Sequence, residues 1–594
     1  MTQRQQYSQR IQQFAQQTEQ LKKKSLALSV LRAACFSLLP LGIYQFYHHT
    51  NNLFWMALSA AGMVSFLVLI HVHQALTARL TLAETLYQIN HDELQFLENH
   101  TTPPLTGKHV APSLHDFAFD LDVFGEKSLF QFLNRAQTYI GQSHLAQALC
   151  HTRPVNEIQD RQDAVKECKE KLDWRQQIQA SAFIAHDQQR DFQQLLHWST
   201  TPIEKIPNWL RVYAYLGPVL FFVTLGAWMF LPGDDNWKLC SAVFTINLIL
   251  FSLVLKIIKQ QIPAAEKIHQ QILHYSLLLQ HIEGERFQNV FMKSLQLQLQ
   301  TPKGSASQQL KQLSNIFERM DSLHNLVGAT LFNGAGLYHA HVLQTLIQWK
   351  QQYATSLQQW LDVIGETETI HSLANLAFNH PEFCFPTLSA QQEFEVTDLG
   401  HPLIPPQQRV CNSVSLQTHP FIILTGSNMS GKSTFLRTLG INMILASTGA
   451  PVCAQSARIH PLPMKVSMRL SDSLGDNESF FFAEVKKLKS IIDALKKGPC
   501  FVLLDEILRG TNSDDKRNGT ILFLEQLIRH HTIGIIATHD LEVCRTTDNW
   551  PNYLRNCCFE VEIENNELVF DYKLRDGICQ NKSASFLMKK MEII

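Results

Sequence analysis

The chain has 594 residues, 45% of them hydrophobic and only 17% charged, a low charge content for a water-soluble chain of several domains. A net charge of −1 excludes a global basic footprint for nucleic acid, while leaving room for a local basic patch. The 12 cysteines form neither a CxxC pair nor a zinc spacing, which argues against a disulfide scaffold or a cysteine metal centre.

Residues 1–24 are Gln-rich and carry Tyr7, Ile11, Phe14 and Leu21 at helical spacing, ending in Lys22-Lys23-Lys24. This predicts an amphipathic helix, and no signal-peptide cleavage pattern accompanies it. Two hydrophobic hairpins follow. The first pairs Ser25–Tyr47 with Leu53–Val72, and the second pairs Val212–Pro232 with Leu239–Leu255. Each run is close to the roughly 20 residues that cross a hydrocarbon core of about 30 Å. Leu53–Val72 and Val212–Pro232 hold no charged residue, and Arg32 in the first run lies near enough to the Lys-rich end to snorkel. Lys22, Lys23, Lys24, Arg79, Lys205, Arg211, Lys256 and Lys259 flank the hairpins on one side, whereas the connecting loops hold only Lys238. The positive-inside rule then predicts cytoplasmic termini and cytoplasmic large domains, in the inner or plasma membrane.

Residues 74–207 and 258–395 read as mostly helical, the latter as long Gln-rich helices with one apolar face at Ile268, Ile272, Tyr275, Leu279 and Ile282. A break is expected at Thr301-Pro302-Lys303-Gly304-Ser305. From about residue 396 short strands alternate with helices, an α/β pattern. Cys558–Ile563 and Leu568–Lys573 read as a β-hairpin. The expected division is 1–24 amphipathic helix, 25–73 first hairpin, 74–207 helical core, 208–257 second hairpin, 258–395 helical lever and 396–594 α/β domain.

The chemistry concentrates in this last part. The apolar run Phe421-Ile422-Ile423-Leu424 leads into Thr425-Gly426-Ser427-Asn428-Met429-Ser430-Gly431-Lys432-Ser433-Thr434, followed by a helical pattern from Phe435. Strand, glycine loop, Gly-Lys-Ser and helix are the context of a phosphate-binding P-loop, with backbone N–H groups and a helix N-terminus turned to phosphate. Residues Gly426 to Thr434 are therefore candidates to hold ATP, with Lys432 on its β/γ-phosphates and Ser433 on Mg2+. A second apolar strand, Phe501-Val502-Leu503-Leu504, ends in Asp505-Glu506. Asp505 suits the magnesium ion and Glu506 a water-polarising role. A third strand ends in Thr538-His539-Asp540, which puts His539 at the carboxyl end of the sheet near the γ-phosphate, as a catalytic candidate or as a structural histidine.

These motifs resemble one family, the MutS-type ATPases of the ABC-like class. The loop matches the MutS P-loop including its Asn-Met. Asp505-Glu506-Ile507-Leu508-Arg509-Gly510-Thr511 is similar to the family's Asp-Glu-Ile-Gly-Arg-Gly-Thr, with Leu508 in place of a glycine. Ala537-Thr538-His539 also matches, as does Asn412 before the loop. Gly400-His401-Pro402 resembles the entry motif without its arginine. Ser479 and Glu484 align with the signature segment, where Phe480 replaces a usual threonine. Ser128-Leu129, Leu133-Asn134-Arg135, Arg161 to Val165 and Ser372-Leu373-Ala374 resemble the family's helical core.

The resemblance implies a homodimer with composite sites, in which Ser479 of one protomer caps the γ-phosphate held by Lys432 of the other. It also implies DNA binding and a link to mismatch repair. Against that, residues 1–115 hold a membrane hairpin where the family has its mismatch-reading domain, and a second hairpin stands where it inserts a DNA clamp. Two functions follow: a membrane-anchored ATPase acting as a DNA clamp, or an ATP-driven membrane switch acting on a protein partner. A transporter is the weaker third, since two short hairpins offer little polar lining for a path.

Overall fold

The computed structural model describes the chain except residues 1, 49–52, 102, 114, 186, 203–205, 232, 234, 262–264, 428, 470–479, 565–566 and 580–594, and the side chains of 260, 261, 265–268, 480 and 562–564. The Gln-rich segment and the first apolar run form one helix, α1 (Gln3–His48), and the second run continues to the far end of α2 (Leu53–Asn99). Five core helices follow: α3 (Leu129–Leu133), α4 (Tyr139–Cys150), α5 (Val155–Glu170), α6 (Leu172–Ala185) and α7 (Gln189–Thr200). The second hairpin is α8 (Asn208–Phe230) and α9 (Asn236–Gln261). Among the described residues these four helices, α1, α2, α8 and α9, are long and apolar enough to cross a membrane, and at most 17% of any apolar window is buried in the protein.

The chain then forms α10 (Ala265–Gly284), α11 (Val290–Leu297), a ribbon of β1 (Gln300–Thr301) with β2 (Gly304–Ser305), α12 (Ala306–Asp321), α13 (Leu326–Gly336) and α14 (Tyr338–Asn379). The ribbon occupies the break expected at Pro302, and Ser305 and Gln308 close a reciprocal capping box on α12. The expectation of uniformly Gln-rich helices fails at α13, an apolar helix without glutamine or charge. The 42-residue α14 is the long axis of the core, and every residue from Thr367 to Asn379 is buried. Near its end a buried network gathers on Glu93 of α2. Arg135 pairs with Glu93 through both carboxylate oxygens, and Asn375 and Asn379 donate to it at 3.1 and 2.9 Å. Tyr7 of α1 donates to Asn379 at 2.8 Å, which joins α1, α2 and α14 at one point.

The C-terminal part comprises β3 (Thr387–Leu388), β4 (Phe394–Leu399), β5 (Asn412–Ser415), β6 (Phe421–Gly426), α15 (Lys432–Thr448), β7 (Ser456–Ile459), β8 (Met464–Ser467), α16 (Phe480–Leu495), β9 (Phe501–Asp505), α17 (Ser513–Arg529), β10 (Ile533–Ala537), α18 (Leu541–Cys544), α19 (Thr546–Asn549), β11 (Leu554–Phe559), β12 (Glu562–Glu564), β13 (Glu567–Val569) and β14 (Leu574–Asp576). A six-stranded sheet runs β14-β11-β6-β10-β9-β8, parallel except for β14 at its edge, and a four-stranded sheet runs β3-β7-β4-β5. Strand β6 is buried on both faces, as a central parallel strand must be. Ile422 and Leu424 join the core under α15, which is continuous with the helical core, while Phe421 and Ile423 join a second core under α16 and α17. The expected terminal hairpin is shorter than its sequence pattern. Cys557 and Cys558 lie in β11, paired with β6, and only β12 and β13 form the hairpin.

Polar contacts at Arg161 and at Asp120 and Asp122 help tie the helical core to the sheet. Arg161 of α5, almost fully buried, donates to the Thr448 carbonyl at the end of α15 and to Glu366 of α14 at 2.5 Å. Asp120 accepts from the backbone of Met468 and Arg469 at 2.8 and 2.7 Å and from Lys487 at 2.6 Å, and Asp122 holds Arg469 through two bonds.

Candidate functional site

Parallel strands β6, β9 and β10 end on the same side of the sheet, so Gly426, Asp505 and Ala537 deliver their following loops to one place. After β6 the chain turns through the glycine loop into α15. Gly431 has φ +98°, and a Cβ there would lie 3.0 Å from the Tyr572 ring, so this turn takes glycine for its backbone and for space. Its carbonyl accepts from Phe435 and begins the helix. Met429, at φ +67°, is 78% exposed at the tip.

Lys432 opens α15 and folds back into the loop, where its Nζ donates to the carbonyls of Gly426 and Ser427 at 2.7 and 3.0 Å. Burial pushes its ammonium down from the usual lysine value, while Glu506 and Asp505 work in the other direction. Ser433 Oγ donates to Asp505 Oδ2 at 2.5 Å, so the two expected metal ligands are already side by side. The hydroxyls of Ser427 and Ser430 are buried without a hydrogen-bond partner among the described residues. Thr434 lines the same cleft, which has a volume of about 570 Å³ and includes Lys432, Asp505 and Glu506 in its wall.

Glu506 and His539 also meet. Their Oε1 and Nδ1 atoms are 3.1 Å apart, with the Glu506 side chain mostly covered and His539 on the open side. Burial alone would raise the Glu506 carboxyl, but His539, Arg509 and Lys516 outweigh it and hold it below its usual value. Glu484 fixes the turn after β9: its carboxylate accepts from the backbone of Leu508 and Arg509 at 2.7 and 3.1 Å. Leu508 sits there at φ +60°, where glycine would be unstrained. Asn428 and Ser479 lie outside the described residues, as does the side chain of Phe480.

Sequence reasoning did not find Tyr572. The side chain of Asn412 donates to the Tyr572 carbonyl at 2.9 Å and accepts from Leu574 at 2.8 Å, which lays the segment after β13 across the glycine loop. Phe570 and Tyr572 stack with ring centroids 6.0 Å apart. Asn412 was the available signal, but its partners lie 160 residues away. His401 also faces the cleft, where burial, then Arg437 and Arg409, push it down to about 4. Chemically, the cleft and its rim offer the Lys432 ammonium, the Arg509 guanidinium, the Ser427 and Ser430 hydroxyls without a partner among the described residues, the Ser433–Asp505 pair and the Glu506–His539 pair.

A family model described as MutS domain V matches residues 422–592, which covers this whole arrangement from β6 onward. Residues 422–592 are thus similar to the fifth domain of the MutS family. The chain's relatives include the DNA mismatch repair protein MutS of Thermotoga maritima, 30% identical over 227 residues, or 37% of this chain and 28% of that protein. The MutS protein of Leptospira interrogans is 33% identical over 203 residues, covering 32% of this chain and 24% of its own length. That of Staphylococcus saprophyticus is 30% identical over 246 residues, covering 39% and 27%. The MutS match thus spans about a quarter of the length of these relatives.

Proposed function

We propose that the cleft binds and hydrolyses ATP with Mg2+, and that the chain is a membrane-anchored MutS-type ATPase working as a homodimer. The observation that carries this is the convergence of Lys432, the Ser433–Asp505 pair and the Glu506–His539 pair at the carboxyl ends of adjacent parallel strands. In this reading the glycine loop is an ABC-like P-loop. Residues 25–73 and 208–257 lie in the membrane, 74–207 and 258–395 form the core and lever, 396–594 form the ATPase domain, and the termini are cytoplasmic. No group of three potential metal-ligating side chains occurs among the described residues, which suits a magnesium ion held by one or two protein oxygens plus phosphate.

The residues fit these ligands. Ser427 and Ser430 have free hydroxyls for phosphate oxygens, and Lys432 need only exchange two loop carbonyls for the β/γ-phosphates. Ser433 and Asp505 would hold a magnesium ion, which would supply charge neutralisation for the phosphates. Glu506, kept ionised, accepts a hydrogen bond from the attacking water, and His539 orients that carboxylate. Ser479 of the second protomer caps the γ-phosphate, so that closing the dimer reports bound ATP.

The relatives' printed name, DNA mismatch repair protein, favours an output on DNA, read here as a clamp. The switch on a protein partner is favoured by a different observation, the buried joint of α1, α2 and α14 at Glu93, which gives nucleotide-driven motion a route to the membrane. Mg-ATP binding by the full chain in detergent should be lost in Lys432→Ala. ATP turnover should then be compared with homoduplex, mismatched and branched DNA at two salt concentrations. Stimulation that weakens with salt supports the clamp, since phosphate contacts release counterions. A rate indifferent to every DNA supports the protein-directed switch, and unchanged ATP binding in Lys432→Ala contradicts the site.

A further inference from the structure

Helix α13 is an apolar element that the ATPase reading leaves unused. From Asn325 to Tyr338 the chain holds no charged residue. Leu326, Val327, Leu331 and Phe332 are 79%, 69%, 57% and 62% exposed, so its large apolar side chains turn outward. The inner face is small. Ala329, Asn333 and Gly334 are buried, and a Cβ on Gly334 would lie 2.2 Å from the Phe244 ring of α9. Close backbone approach through a small residue is how helices associate where water supplies no driving force.

The polar atoms obey the same constraint. Asn247 of α9 has no exposed surface and lies midway between Lys238 and Lys256, about 14 Å of helical rise from each. Its amide donates to the Gly334 carbonyl at 2.8 Å, one of the carbonyls that the end of α13 leaves without an intrahelical partner, and its oxygen accepts from Tyr213 of α8 at 3.0 Å. At the turn into α14, Asn333 accepts from the backbone of His339 at 3.0 Å, and Leu337 is buried at φ +45°. Irregular backbone at membrane depth is tolerated when protein satisfies it in this way.

We propose that α13 is a re-entrant helix that enters the cytoplasm-facing leaflet beside α8 and α9, with lipid hydrocarbon as the partner of its outer face. This rests on the reading that α8 and α9 span the membrane. At 11 residues α13 is about 16 Å long, too short for a core of about 30 Å. An apolar helix of this length is buried core, interfacial or re-entrant, and the bond of Gly334 to Asn247 midway along α9 sets it deeper than the interface. The exposed leucines and Phe332 rule out core. The occupant is lipid because α13 packs directly on α8 and α9, whose own outward residues Val219, Phe222, Val223, Ile249 and Leu253 are likewise apolar and exposed. Both neighbours of α13 in sequence, α12 and α14, belong to the helical core, so it enters and leaves on the core side. The leaflet thereby holds the start of α14, whose other end meets Glu93.

The test uses the full chain in phosphatidylcholine–phosphatidylglycerol liposomes that contain a trace of phospholipid with a mid-chain diazirine. After irradiation, lipid adducts are mapped by mass spectrometry. Adducts on α8 and α9 together with residues 326–332, and none on α12, are expected. Adducts on α8 and α9 but none on 326–332 would overturn the proposal while leaving the membrane reading intact, including the case in which a second copy covers α13. An absence of adducts from α1, α2, α8 and α9 alike would overturn the membrane reading itself.

Discussion

The two apolar hairpins are joined to the rest of the chain in opposite ways. The helices of the first run on far beyond their apolar parts, back to Gln3 and forward to Asn99, and they meet the core through charge and amides. Arg10 pairs with Asp173 at 2.5 Å, Asn90 and Gln176 exchange two hydrogen bonds, and Glu93 is gripped by Arg135 and two asparagines. The second hairpin is short at both ends, and its described joint is neutral: Asn247, Tyr213 and the carbonyl end of α13. A charged joint can be buried only where water is excluded and every partner is present, so it is stiff and all-or-none. A joint of neutral hydrogen bonds is weaker, bond for bond. Helix α14 touches both, with the neutral joint at its start and the charged one at its end.

The largest expected effect comes from breaking the charged joint. Arg135→Ala leaves Glu93 buried without its ion partner, which costs about 3–5 kcal/mol. The denaturation midpoint should fall accordingly, and protease should gain access to residues 74–99, whereas an unchanged midpoint would show that the pair is not a lock. Acid should act on the same joint. Burial alone would raise the Glu93 carboxyl, but Arg135, Asn379 and Asn375 outweigh it and depress it below 4.5. A depressed carboxyl contributes stability that is present above its unfolded value and lost as pH falls through the folded one. Below pH 4.5, therefore, protease access to residues 74–99 should rise. Gly334→Val should force the Phe244 ring aside and cost about 1–3 kcal/mol of second-hairpin packing. Asn247→Leu is the mildest change, about 1 kcal/mol, since interhelical hydrogen bonds in lipid are modest. It should loosen α13 as read by its lipid adducts, and leave the first hairpin unchanged.

Much of the site was legible in the sequence because its residues come in contiguous runs. The order strand, Gly426 to Thr434 and helix, and Asp505-Glu506 at the end of an apolar strand, are local patterns that a parallel sheet brings together. The four long apolar helices were legible for the same reason, since length and composition suffice. What escaped depends on contacts far apart in sequence. Glu93 is one acidic residue on a polar stretch of α2, and nothing nearby marks it as the partner of Arg135, Asn375 and Asn379. Tyr572 reads as the edge of a hairpin, and only the Asn412 side chain places it over the glycine loop. Helix α13 was missed because 11 apolar residues fall below the length that signals a membrane span, and its exposed face has meaning only beside α9. Leu508 read as a departure from a glycine motif, yet the backbone keeps the glycine-like conformation, held by Glu484.

The most direct test of the account is phosphate release from Mg-ATP by the full chain in liposomes, wild type against Glu506→Gln. The substitution keeps the size of the side chain but removes the carboxylate proposed to hold the attacking water. Magnesium-dependent release that falls at least about a hundredfold in the variant is the predicted result. Equal rates in the two proteins, or no release from the wild type with Mg-ATP bound, would contradict the assignment of this cleft as an ATPase site.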